Sequence, residues 1–167
     1  YEAGQVVARV FAGIVPEIRE GVTTADLNQR VHELILENGC RPAFLGYLNY
    51  PASACISINE EVVHGIPSAQ RRLKSGDLVS MDIGVQYRGV FGDAARTVPV
   101  GKISRTAKRL LRTGRECLRR AISVAQPGNR MGDISHAIQS HAESQGFNVI
   151  RDWVGHGIGE RLHEEPQ

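Results

Sequence analysis

The chain has 167 residues, with 20 lysines and arginines against 18 aspartates and glutamates for a formal charge of +2, and 41% of it is hydrophobic. That composition excludes a disordered tail or a fibrous repeat, gives no sign of a dedicated nucleic-acid binder, and predicts one globular domain with a sizeable core. Cys40, Cys55 and Cys117 are an odd number at wide spacing, which suits reduced thiols in a cytosol better than a secreted disulfide framework. With no basic, apolar leader and no run of about 18 apolar residues, a soluble cytoplasmic protein is expected.

In chain order, Val6, Val7, Val10, Phe11, Ile14, Val15 and Ile18 recur as one buried helical stripe that must stop before Gly21. Thr23 with Asp26 three residues on is an N-terminal capping pattern, Leu27, Val31, Leu34 and Ile35 form the face of a second helix, and Gly39 supplies its stop. The period then changes. Residues 54–63, 78–87 and 90–100, rich in β-branched and aromatic side chains, read as strands. A long helix over about 104–125 follows, with Leu110, Leu111, Cys117, Leu118, Ala121, Ile122 and Ala125 as its apolar face and Pro127-Gly128 as its stop. A further helix carries Asp133, Ile134, Ile138 and Ala142 and ends at Gly146, and residues 147–150 read as a short strand.

A shift of 107 superimposes Gly21 on Gly128, Asp26 on Asp133, Leu27 on Ile134, Val31 on Ile138 and Gly39 on Gly146. This points to a duplicated helix-helix-strands unit, with a first half of about 1–103 and a second of about 104–167 in one domain around a cleft. The chain opens on Tyr1 with helical periodicity already running and closes on His163-Glu164-Glu165-Pro166-Gln167 without a capped element, so it is expected to be incomplete at both ends.

The 78–100 segment carries the most chemistry. Val79, Met81, Ile83, Val85 and Tyr87 share one strand face, and Ser80, Asp82, Gly84 and Gln86 share the other. A two-residue turn at Arg88-Gly89 would pair Tyr87 with Val90 and Gly84 with Asp93, making Asp82 and Asp93 diagonal neighbours beside the small Gly84 and Ala95. Two carboxylates in a largely apolar sheet repel each other and are costly to desolvate, so they need either a divalent metal or basic partners such as Arg88 or Arg96. His64, expected at a strand end, and His156, in Gly155-His156-Gly157-Ile158-Gly159 where bare backbone permits close approach, are candidate imidazoles, with His163 seven residues on. A lone histidine is more often structural. Neither His32-Glu33 nor His163-Glu164 has the second histidine of a zinc-protease helix, and His136 and His141 lie about 140° apart on a helix, as surface residues do. Cys55, between Ala54 and Ile56 in an apolar strand, reads as a buried, inert thiol. The 104–125 helix bears seven basic residues against the single acid Glu116, which is either a solvated face or a docking face for an anionic surface such as RNA.

The motifs Asn59 to Pro67, Asp82-Ile83-Gly84, Gly92-Asp93, Gly155 to Gly159 and His163-Glu164-Glu165-Pro166 resemble, in order and spacing, the type I methionine aminopeptidases across essentially the whole chain. The resemblance implies the pita-bread fold, a pseudo-twofold α/β arrangement of helix-helix-antiparallel-strand units with its active site between the halves. It implies metal-dependent removal of the N-terminal methionine from nascent peptides, with Asp82, Asp93 and His156 among the ligands of two divalent ions (Co, Mn, Fe or Zn). It further implies catalytic, substrate-contacting roles for His64 and His163, and a methionine pocket lined by Phe44, Tyr47, Tyr50, Cys55 and Leu162. The family's two remaining glutamate ligands have no counterparts here. Leu48 stands where some members have histidine, and Gly84 where threonine is commoner, which removes a hydroxyl near the metals. The expected partners are N-terminal segments of nascent chains and, through the 104–125 helix, the ribosome, with no membrane and no specific nucleic acid. An X-Pro aminopeptidase of the same fold and a non-catalytic peptide-binding module are the rival readings.

Overall fold

The computed structural model describes residues 1–166, and the chain resolves into two compact units. The first comprises Tyr1–Ile103 together with Gly157–Glu165; the second spans Ser104–His156 and takes in Pro166.

In the first unit, helix α1 (Glu2–Ile14) and helix α2 (Thr24–Glu37) pack on a four-stranded antiparallel sheet of β1 (Arg41–Pro42), β2 (Ala54–Ile58), β3 (Leu78–Tyr87) and β4 (Val90–Pro99). β3 is the central strand. It pairs with β4 along its whole length, and on its other edge with β2 through residues 79–83 and with β1 through 85–86. The α-helical part of the first stripe ends at Ile14 and tightens into a 3₁₀ turn over Val15–Glu17, because Pro16 has no N–H to continue the ladder. Val6, Val10, Ile14, Leu27, Val31 and Ile35 meet Ile56, Val79, Met81, Ile83 and Val85 in one buried core. α1 comes so close to β4 that a Cβ at Gly92 would sit 2.8 Å from the Ala3 carbonyl carbon.

The expected strand over 54–63 is shorter. It stops at Ile58 because Asn59 turns the chain with a φ of 57°, its amide donating to Asp77 and its Oδ1 accepting from Leu78 N, while Glu61 accepts from Ile58 N. His64 therefore sits in a loop, not at a strand end.

The second unit is a helix pair, α3 (Arg105–Val124) and α4 (Met131–Ser144), with Thr113, Cys117 and Ala121 as the buried residues of α3. The apolar face expected there is only partly right: Leu110, Leu118 and Ile122 are exposed. Residues 147–150 form no strand, and Phe147 instead lies under the Arg109 guanidinium. The internal repeat is visible within each unit taken by itself. Asp26 accepts from Thr23 N as Asp133 accepts from Arg130 N; Gly39 N bonds Leu36 O and Cys40 N bonds Ile35 O, as Gly146 N bonds Glu143 O and Phe147 N bonds Ala142 O. All four stop glycines have the positive φ that such a helix ending favours.

The Asn28 side chain ties α2 to the sheet by its hydrogen bonds, since its Oδ1 accepts from the backbone N–H groups of Ser53 at 2.9 Å and Ala54 at 3.1 Å, both buried. Asn28→Ala strands two buried donors and should lower stability by about 1–3 kcal/mol in urea unfolding, whereas Asn28→Asp, which keeps the acceptor, should cost less.

Candidate active site

Arg88 and Gly89 adopt φ values of 51° and 86°, the left-handed pair of a two-residue hairpin turn that matches the twist of its strands. The turn sets Tyr87 against Val90, Gly84 against Asp93 and Asp82 against Ala95. Asp82 and Asp93 consequently share the sheet face away from the helices, together with Ser80 and Thr97, whose hydroxyls are 2.8 Å apart. The two carboxyls are near enough to act on each other. Burial first, and then the Asp93 charge, push the Asp82 carboxyl up to about 8.

Neither aspartate takes part in a salt bridge among the described residues. Arg88 instead reaches Glu2 at 3.8 Å and lies over the Tyr87 ring, and Arg96 is set opposite Met81. Two shielded carboxylates without a basic partner fit a divalent cation, which would relieve both repulsion and desolvation. This unit thus supplies two oxygen ligands. Among the described residues, no group of three or more His, Cys, Asp or Glu side chains is gathered in a metal-holding arrangement. His156 belongs to the second unit, where it is half-buried.

Beside the aspartates lies an apolar cluster. Cys55 is the direct cross-strand partner of Asp82, and with Ala43, Phe44 and Leu162 it forms a buried cluster flanked by Tyr50 and Phe91. Burial, the largest influence, pushes the Cys55 thiol up to about 11, so it stays protonated and apolar, as its sequence context suggested. The Tyr50 hydroxyl donates to Gly65 O at 3.0 Å, and burial raises its pKa as well. The Phe44 ring packs over Gly84: a Cβ there would lie 2.5 Å from Phe44 Cε1, so the ring occupies the room that a larger residue would need. Glycine at this position is therefore tied to the apolar cluster. Phe91 escaped the sequence reading, although it sits two residues from Asp93 on the same strand parity.

The histidines are held by backbone. Gly65 is pressed against β2, where its carbonyl accepts from Ile56 N at 2.8 Å and its N–H donates to Ser57 Oγ, and any Cβ would collide with Ile56 O. This anchors the preceding His64, which itself has a φ of 59°. The segment from Gly157 to Glu164 folds on itself through paired backbone bonds of 2.8 and 2.9 Å and is pinned to β4 by Phe91 N donating to Gly159 O at 2.7 Å. Leu162 is thereby buried in the cluster and the next residue, His163, meets Tyr47: Tyr47 Oη and His163 Nδ1 are 2.9 Å apart. Tyr47 lies outside the buried cluster.

Residues 1–167 match metallopeptidase family M24. The chain is 45% identical over 166 residues to methionine aminopeptidase 1 of Bacillus subtilis (strain 168), covering 99% of this chain and 66% of that protein, so it spans slightly under two thirds of that relative's length. The crystal structure of a methionine aminopeptidase from Thermotoga maritima superimposes with a TM-score of 0.97 at 47% identity, over 99% of this chain and 67% of that one. That of the Rickettsia prowazekii methionine aminopeptidase gives 0.96 at 39%, over 99% and 66%. The prolidase from Pyrococcus furiosus gives 0.84 at 26%, over 99% and 48%. The α/β architecture is thus the pita-bread fold of these neighbours, and the chain belongs to metallopeptidase family M24.

Proposed function

We propose that the protein carrying this chain removes the N-terminal methionine from peptides and nascent proteins by metal-dependent hydrolysis. The observation that carries the reading is the pair of shielded aspartates, Asp82 and Asp93, on one sheet face with no salt-bridge partner among the described residues, next to an apolar cluster containing a protonated thiol and aromatic rings. With His156 they supply oxygen and nitrogen donors suited to Mn²⁺, Co²⁺, Fe²⁺ or Zn²⁺. Two such ions, when bound, lower the pKa of water and polarise a carbonyl, as metal hydrolases require. This chain's own residues do the rest. Phe44, Tyr50, Cys55 and Leu162 surround the flexible methionine side chain with soft, apolar contacts. His163 donates a hydrogen bond to the scissile carbonyl oxygen as charge develops there, and His64 contacts the scissile amide nitrogen.

Identities of 39%, 45% and 47% to three methionine aminopeptidases, against 26% to a prolidase, favour methionine over X-Pro specificity. Retention of Asp82, Asp93 and His156 argues against a non-catalytic module. Three buried free cysteines suit a reducing cytoplasm, and among the described residues no helix is long and apolar enough to cross a membrane. A ribosome contact through α3 is supported by Arg105, Lys108, Arg112, Arg115 and Arg119, exposed and spaced 3, 4, 3 and 4 apart, which makes them one cationic stripe.

Hydrolysis of Met-Ala-Ser, with and without added metal, tests the reaction: metal-dependent methionine release supports it, and preference for an X-Pro peptide or inactivity refutes it. Asp93→Ala should reduce turnover at least about 100-fold while leaving the fold intact by circular dichroism; wild-type activity in this variant would remove Asp93 from the site. The metal-free protein has a distinctive pH dependence. The Asp82 carboxyl is raised on folding, so the stability it contributes is complete below its ordinary value of 3.8 and is lost as pH climbs through about 8. Unfolding free energy should fall across that window by up to about 1.4 kcal/mol per pH unit, and Asp82→Asn should flatten the profile. Reversing Arg112 and Arg115 to glutamate should weaken ribosome co-sedimentation at least about tenfold at low salt, with tripeptide hydrolysis unchanged.

A further inference from the structure

Tyr47 and His163 are 116 residues apart in sequence, yet their polar atoms are 2.9 Å apart and their rings stack, with centroids 5.4 Å apart at 29°. The loop that carries Tyr47 adopts a costly backbone. Gly46, Leu48 and Asn49 have φ values of 84°, 46° and 65°; glycine and asparagine tolerate the left-handed region, but for leucine it costs about 1–2 kcal/mol. Such strain persists only where the surroundings impose it. Leu48 gains no burial in return, since it is 85% exposed.

What the loop achieves is the placement of the intervening tyrosine. Its ends are anchored in the apolar cluster, by the buried Phe44 on one side and by the Tyr50 hydroxyl bound to Gly65 O on the other. Between them, Gly46 N donates to Tyr50 O, Tyr47 N to Phe44 O and Tyr50 N to Tyr47 O, all at 2.8–2.9 Å. The partner imidazole is anchored to the same cluster, because His163 directly follows the buried Leu162. Both rings are thus held by one apolar cluster from distant parts of the chain.

The chemistry of the pair gives the contact a direction. A phenol is a stronger acid than a neutral imidazole, so the Tyr47 hydroxyl donates and His163 Nδ1 accepts, which leaves the ring proton on Nε2. The geometry points to Tyr47 as a positioning residue that holds His163 in the Nε2–H tautomer, the form able to donate from that nitrogen to a substrate carbonyl. This inference rests on the donor role proposed above for His163, and it adds to the expectation that Tyr47 is one of the residues lining a methionine pocket.

Tyr47→Phe keeps the ring and the stacking and removes only the hydroxyl. Long-range ¹H–¹⁵N spectra of the metal-free protein, with the His163 signals assigned by their loss in His163→Ala, should show the Nε2–H form in the wild type and admit the Nδ1–H form in Tyr47→Phe. In the metal-loaded protein, Tyr47→Phe should lower kcat on Met-Ala-Ser about tenfold with KM changed less than about twofold, and should have no further effect in a His163→Ala background. An unchanged tautomer, a rise in KM at constant kcat, or an undiminished effect in His163→Ala would each overturn the assignment. If the wild-type protein releases no methionine, the proposed function fails by itself, and the spectra still decide whether Tyr47 sets the tautomer.

Discussion

A slip of one residue between β3 and β4 would send Asp93 to the helix-covered face and leave Asp82 alone on the other, because strand side chains alternate with a period of two. The register that prevents this is held by the Arg88-Gly89 turn at one end and, along β4, by Gly92, where any side chain would run into the α1 backbone at Ala3. A slip that put Asp93 there would press a charged side chain against α1, a heavier cost than the repulsion between two carboxylates that it would relieve. The fold therefore holds together two like charges that would separate if left to themselves.

That enforced proximity gives the exposed face its character. With burial penalising ionisation and, among the described residues, no guanidinium or ammonium in a salt bridge with either carboxyl, the Asp82 carboxyl is held well above the usual carboxylate range. The cross-strand placement of Cys55 against Asp82 then brings an apolar cluster to the edge of a charged site. Soft, uncharged side chains beside hard oxygen donors suit the substrate class proposed above. Phe44 is bound into the same arrangement, since only glycine at position 84 leaves space for its ring.

The duplication matters for how such a fold is built. Both helix pairs end in equivalent hydrogen bonds, and both second helices begin with an aspartate that caps its own first turn. The copies have nonetheless diverged in what they bury. α1 places Val10 and Ile14 in the core, whereas the residues of α3 at a shift of 107 are the smaller Cys117 and Ala121, and α3 carries arginines along its exposed side. Local capping chemistry is retained because each helix needs it regardless of context; packing residues drift with the surface they meet.

Much was legible without coordinates. Both helix pairs, their glycine stops, the hairpin turn and the pairing of Gly84 with Asp93 follow from interactions between residues close in sequence, where propensity, capping and a period of two or 3.6 leave few choices. The family resemblance, likewise, rests on motifs whose order and spacing survive without any structure. The early stop of the strand at Ile58, the Phe44 ring over Gly84 and the meeting of Tyr47 with His163 were not legible. Each depends on a partner brought from 18 to 116 residues away. No local pattern encodes such a contact, because it exists only once the core has fixed where the distant segment passes.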